Sequence, residues 1–89
     1  MRYKVQFSPR AERQLRDLPR EAQARLKTRI DALAEDPRPR GVERLSGAEE
    51  YYRIRVGVYR VIYAIEDRDL IVLVVKVGHR RDVYRRLFD

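Results

Sequence analysis

Between Tyr51 and Tyr63 the chain reads Y-Y-R-I-R-V-G-V-Y-R-V-I-Y, and its three arginines, Arg53, Arg55 and Arg60, are the residues best suited to chemistry. A guanidinium is a planar fork of donors that stays charged throughout the physiological range, so it grips phosphate rather than exchanging protons. Whether the three act together depends on one turn. Gly57-Val58 fits the Gly-X pattern of a two-residue type II′ hairpin, which predicts Val56 opposite Tyr59, Arg55 opposite Arg60, Ile54 opposite Val61 and Tyr52 opposite Tyr63. Alternation then places Arg53, Arg55 and Arg60 on one face with Tyr51, Ile62 and Ala64, and the remaining apolar residues on the other. At ~6 Å and an effective dielectric of about 20, Coulomb's law caps the Arg55/Arg60 repulsion at roughly 3 kcal/mol. A repulsive pair that folding does not need is what an anion site looks like before its phosphate arrives. The competing reading is a solvated basic face in a chain that is 39% charged.

The elements that position these arginines are legible from periodicity. Tyr3, Val5 and Phe7 alternate with polar neighbours, predicting a first strand. Ser8-Pro9 is an N-cap followed by proline at the first helical position, and Ala11, Leu15 and Leu18 share one helical face up to Pro19. A second helix is predicted from Arg20 to Glu35, with Ala22, Leu26, Ile30 and Leu33 on its inner face and Asp36-Pro37-Arg38-Pro39 ending it. Residues 37–50, with two prolines, Gly41 and Gly47, read as a connecting loop in which Val42 and Leu45 tuck against the core. The hairpin Tyr51–Glu66 follows, then a turn at Asp67-Arg68-Asp69. Leu70 to Val77 is an aliphatic run suited to the interior of a sheet, and Gly78 is expected to break that strand. His79 to Leu87 reads as a polar tail with one or two helical turns. The prediction is a single α+β domain over residues 1–89: an N-terminal strand, a helical hairpin, a three-stranded antiparallel meander and a short C-terminal tail or helix (β-α-α-β-β-β).

The net charge of +7 is concentrated. Residues 51–65 hold three Arg and no acid, and residues 76–86 hold Lys76, Arg80, Arg81, Arg85 and Arg86 against Asp82, so these two segments account for all of it. The N-terminal half interleaves its signs, as in Glu12/Arg16 and Glu21/Arg25, which suits a solvated helix surface. Such a distribution fits a polyanionic partner, most simply nucleic acid, although an acidic protein would also serve. The chain has no cysteine and one histidine, which excludes disulfide frameworks, thiolate metal sites and His-cluster metal motifs, so no metal and no cofactor are expected. No segment reads as a signal peptide, and the longest apolar run, Leu70 to Val75, is too short to span a bilayer. The expected location is the cytoplasm, without membrane association.

The order of elements, with P-R-P-R-G-V-E-R-L-S-G, Y-Y-R-I-R-V-G-V-Y-R-V-I-Y and V-K-V-G-H-R-R-D-V-Y, resembles the RelE/ParE superfamily of bacterial and archaeal toxins nearly from end to end. The likeness is greatest to its RelE-like branch. The resemblance implies the toxin of a type II toxin-antitoxin system: a ribosome-dependent, metal-independent endoribonuclease (mRNA interferase) that cleaves mRNA in the A site. Its chemistry is attack of a ribose 2′-hydroxyl on the adjacent 3′-phosphate. Implied partners are a cognate antitoxin, mRNA and the ribosome with its 16S rRNA. Carried over residue by residue, the catalytic positions fall on Arg55, Arg60, Arg80 and Tyr84, with Arg53 holding RNA backbone and Tyr84 stacking a base. Arg53 and Arg55 stand where well-known members carry lysine, which leaves the general base open. His79 is a candidate proton shuttle or simply a surface residue. Tyr84 alternatively packs the tail onto the sheet. Arg81, Arg85 and Arg86 are expected to add RNA affinity, and Arg38, Arg40 and Arg44 to face ribosomal RNA, diluted by Glu43, Glu49 and Glu50. The alternatives are a ParE-like inhibitor of DNA gyrase on the same fold and an inactive relative that only binds antitoxin.

Overall fold

The computed structural model describes residues 2–45 and 50–82. Along the chain run β1 (Lys4–Phe7), α1 (Pro9–Arg16), α2 (Arg20–Ala32), β2 (Glu43–Leu45), β3 (Tyr51–Val56), β4 (Tyr59–Glu66) and β5 (Ile71–His79). Among the described residues the strands form one sheet in the order β1-β5-β4-β3-β2, with β1 parallel to β5 and the other neighbours antiparallel. Both helices lie on one face. Leu26, Ile30 and Leu33 of the second helix region meet Tyr52, Ile54, Val56, Val61, Tyr63, Val72, Val74 and Val77 in a single core. Tyr52 and Tyr63 stack there with ring centroids 5.9 Å apart, and the buried Tyr63 hydroxyl donates to the Pro37 carbonyl at 2.7 Å.

Local chemistry sets the element ends. Ser8 caps α1, its Oγ accepting the Ala11 amide at 3.1 Å, and Pro9 occupies the first turn. The second helix stops at Ala32 rather than Glu35: the amides of Leu33, Ala34 and Glu35 reach carbonyls three residues back and wind the chain into a tighter final turn. The predicted hairpin register holds at every pair, including Arg55 opposite Arg60. Gly57 has φ +60° and is the turn residue with a positive φ, as type II′ requires. Replacing Gly57 by alanine forces a Cβ into that left-handed conformation, beside the Arg25 guanidinium at 3.3 Å. Urea unfolding of Gly57→Ala is expected to show a loss of about 1–2 kcal/mol.

Three features depart from expectation. Residues 43–45, read as loop, form the short edge strand β2, in which Glu43 faces Arg53 and Leu45 faces Tyr51. Gly78 does not end β5; it pairs with Arg60, because β4 offers a ladder out to Tyr59, which meets His79. The third is a bulge in β5: Ile62 pairs with Lys76 but Tyr63 with Val74, leaving Val75 extra. Strict alternation along β5 would send Lys76 after Val72 and Val74 onto the helix face; with Val75 bulged, Val77 takes the core position and Lys76 turns to the arginine face. The loop around the bulge is held by α1 and its cap, through Ser8 to the Val74 carbonyl at 2.9 Å and Gln14 Oε1 to the Val77 amide at 2.9 Å.

Candidate active site

The face away from the helices is organised in rows by strand register. One row runs Glu43, Arg53, Ile62, Lys76, and the next runs Arg55, Arg60, Gly78. Gly78 contributes no side chain beside Arg60. Ile62, placed on this face by the predicted alternation, is fully buried, and Lys76 is nearly so at 5% exposure. The face is therefore a partly covered surface with the arginines at its rim, rather than an evenly solvated sheet.

Burial, followed by the positive charges of Arg55, Arg53 and Arg80, holds the Arg60 guanidinium below the usual arginine range, with Glu43 opposing. Four guanidinium groups are thus within electrostatic reach of one another. Arg80 is brought in by the end of β5, where its amide donates to the Val58 carbonyl of the hairpin turn at 2.7 Å. Arg60 Nη1 folds back to donate to the Gly57 and Tyr59 carbonyls at 3.0 and 2.9 Å. Like charges held close by backbone register form a site whose repulsion an oxyanion relieves.

His79 lies elsewhere. It pairs with Tyr59, whose side chain is on the helix face, and the two rings meet edge to face at 6.2 Å between centroids. Its Nδ1 accepts the Arg81 amide at 3.1 Å, closing the turn after β5. The register thus sends the candidate proton shuttle to the side opposite the arginines. Arg81 is exposed beside that turn, while Tyr84, Arg85 and Arg86 lie outside the described residues.

Glu43 is the residue that the sequence did not single out. From β2 it reaches across to Arg53, Oε2 to Nη2 at 2.6 Å, and to Arg55, Oε1 to Nε at 3.3 Å. The Arg53 hydrogen bond first, with the charges of Arg53 and Arg55, holds its carboxyl below the ordinary carboxylate range. The available signal was a lone acid within P-R-P-R-G-V-E-R-L, at a position that alternates with Val42 and Arg44 once the segment is seen as a strand.

Arg38 has a structural task within the fold. Its Nη1 and Nη2 hold Asp67 at 3.2 and 2.9 Å, its Nε approaches the Tyr52 hydroxyl at 3.3 Å, and its guanidinium lies 5.2 Å from the Tyr52 ring centroid. Tyr3 donates to the same carboxylate at 2.6 Å, so Asp67 ties the β4–β5 turn to the start of β1 and to the loop after α2. Arg44 pairs with Glu50. Hydrogen bonds from Arg38 and then Tyr3 hold the Asp67 carboxyl below its usual range. A depressed carboxyl stabilises the fold above its unfolded-state pKa and loses that contribution as pH falls through the folded value. Asp67→Asn is therefore expected to melt below the wild type at neutral pH, with the difference in Tm closing as both are acidified below about pH 4.

Fold and site together define a small α+β protein that gathers arginines, with Glu43 among them, on the sheet face away from its helices. Comparison with known proteins supplies the lineage. The ParE toxin of type II toxin-antitoxin systems (parDE) is the family matching residues 5–84. Toxin RelG of Mycobacterium tuberculosis is 33% identical over 87 residues, covering 97% of this chain and all of its own. The mRNA interferase toxin RelE of Escherichia coli is 30% identical over 82 residues, covering 90% of this chain and 85% of its own. Among solved structures, the archaeal RelE-RelB complex from Pyrococcus horikoshii superposes with a TM-score of 0.80 at 31% identity, covering 92% of this chain and 99% of the matched one. The chain belongs to the ParE toxin family of type II toxin-antitoxin systems and is a RelE-like toxin.

Proposed function

We propose that this toxin is a ribosome-dependent, metal-independent endoribonuclease that cuts mRNA in the A site, using the arginine cluster to stabilise charge on the phosphoryl oxygens. The observation that carries the reading is the gathering of Arg53, Arg55 and Arg60 on one sheet face with Arg80 beside them at the end of β5, where Arg60 is held below its usual range by burial and then by the other three. Such fixed donors suit the attack of a 2′-hydroxyl on its 3′-phosphate, in which negative charge builds on non-bridging oxygens and no covalent enzyme intermediate forms. Arg60 and Arg80 hold the phosphate, Arg55 stabilises charge at the attacking oxygen, and Arg53 holds backbone. Tyr84 stacks a base, and Arg81, Arg85 and Arg86 add nonspecific affinity. The interferase name of the E. coli relative supports the activity. Relatives solved in complex with RelB antitoxins support a cognate antitoxin as the neutralising partner.

The test maps 5′ ends on an mRNA translated in a reconstituted system, with and without ribosomes. New ends that require both ribosomes and protein are expected; their absence with folded protein overturns the reading. A second reading is favoured by the matched family's description as a ParE toxin: inhibition of DNA gyrase through protein contacts, for which a supercoiling assay is the discriminating measurement.

A further inference from the structure

Attack by a 2′-hydroxyl needs a proton acceptor, and the four arginines cannot serve, because a guanidinium stays fully protonated at physiological pH and has no lone pair to offer. His79 faces the other side of the sheet. Among the described residues, the carboxylate in contact with the cluster is that of Glu43, directly across from Arg53 in the β2–β3 register and bonded to both Arg53 and Arg55. It also borders a cleft of about 450 Å³ shared with Arg29, Arg40, Gly41, Ile54 and Arg55. That volume falls in the range of roughly 300–1,000 Å³ typical of small-ligand clefts. The carboxylate thus stands between an opening large enough for a nucleoside and the guanidinium groups that would hold its phosphate.

We propose that Glu43 is the general base of this toxin, a role that rests on the nuclease reading above. In the free protein its carboxylate occupies the guanidinium donors as an internal anion. A substrate phosphodiester competes for those donors, and the displaced carboxylate, no longer neutralised, becomes a better base at the moment the ribose arrives. Glu43 then takes the 2′-hydroxyl proton while the 2′-oxygen forms its bond to phosphorus. The bond from phosphorus to the 5′-oxygen of the next nucleotide breaks, and that oxygen takes a proton from water. Glu43 returns its own proton to water, leaving a 2′,3′-cyclic phosphate and a 5′-hydroxyl. The charged groups facing Glu43 are Arg29 from α2, Arg40 from the preceding loop, Arg53 and Arg55 from β3 and, through the field, Arg60 from β4. All are cationic, so the carboxylate is ionised and ready at neutral pH.

Glu43→Gln and Glu43→His, compared with wild type in single-turnover cleavage of ribosome-bound mRNA between pH 5.5 and 8, separate this role from a structural pairing of β2 with β3. The glutamine keeps a hydrogen-bonding oxygen toward Arg53, so thermal melts and ribosome binding are expected to stay near wild type while cleavage falls about 10²–10⁴-fold. The histidine is expected to restore part of the rate, rising with pH through about 6.5 as the imidazole loses its proton. A glutamine variant that cuts within about threefold of wild type, or a histidine variant whose profile matches the glutamine one, overturns the proposal and leaves the nuclease reading intact. No cleavage by wild type removes both.

Discussion

Replacing Arg60 by alanine is expected to lower ribosome-dependent cleavage by about 10²–10³-fold, the loss associated with one preorganised donor to a developing oxyanion. Arg60 sits where the two rows of the site make this cost largest. Arg55 is directly across the hairpin, Gly78 adds no side chain on the other flank, and Arg80 follows from the end of β5. Its depressed pKa says that the folded protein already carries unfavourable charge density there, with burial the first cause. Alanine removes that repulsion along with the proposed phosphate donor. The hydrogen bonds lost, to the Gly57 and Tyr59 carbonyls, are at the hairpin end, where water can replace them. Arg60→Ala should therefore melt at or slightly above the wild-type temperature in low salt. Added phosphate should raise the wild-type Tm more than the variant's, because only wild type has the full set of donors to neutralise. A variant that both fails to cut and fails to fold would show that Arg60 serves the hairpin rather than the phosphate.

The hairpin that carries the arginines was legible because two independent signals agreed: a Gly-X turn that fixes register and a period-two pattern that fixes face. Neither signal reaches β2. Glu43–Leu45 is three residues long, follows Pro39 and Gly41, and is a strand only because the β3 edge offers it partners. Pairing of that kind is tertiary and leaves no local trace, so Glu43 read as one of three acids diluting a basic loop rather than as a partner of Arg53 and Arg55. The bulge was hidden for a different reason. Leu70 to Val77 is apolar at almost every position, so either parity fits a strand buried on both faces, and only the register against β4 reveals the extra residue at Val75. Its effect on the site is direct, since it decides that Lys76 faces the arginines and Val77 the core. Gly78 misled in the opposite sense. Its composition reads as a breaker, yet a glycine opposite Arg60 is tolerated because the partner strand continues past it. The resemblance implied the roles of Arg55, Arg60 and Arg80, and the geometry brings those three together.

Replacing Leu26 by alanine is expected to destabilise the protein by about 2–5 kcal/mol, the range for truncating a fully buried leucine. Leu26 has no exposed surface and lies on the inner face of α2, between Ala22 and Ile30 and against the β3–β4 core. Collapse around the missing carbons is restricted, because the opposing side chains are β-branched or aromatic and are themselves fixed by strand pairing. An 89-residue domain has little stability to spare, since such domains are stable by only about 5–15 kcal/mol. Each kcal/mol lost shifts Tm by roughly 4–8 °C at this size, so thermal melts should fall by at least about 8 °C. Leu26→Met, which conserves volume, should cost less than about 1.5 kcal/mol. The consequence for cleavage separates core from site. At temperatures where Leu26→Ala remains folded its rate per folded molecule should match wild type, because α2 supports β3 from the face opposite the arginines. Arg60→Ala should show the inverse, a retained fold with the chemistry gone. Core and proposed site meet in a single strand, β3, whose Tyr52, Ile54 and Val56 hold the fold while Arg53 and Arg55 lie on the opposite face against Glu43. If Leu26→Ala slowed cleavage without lowering stability, the two faces would be coupled through that strand more tightly than its alternation implies.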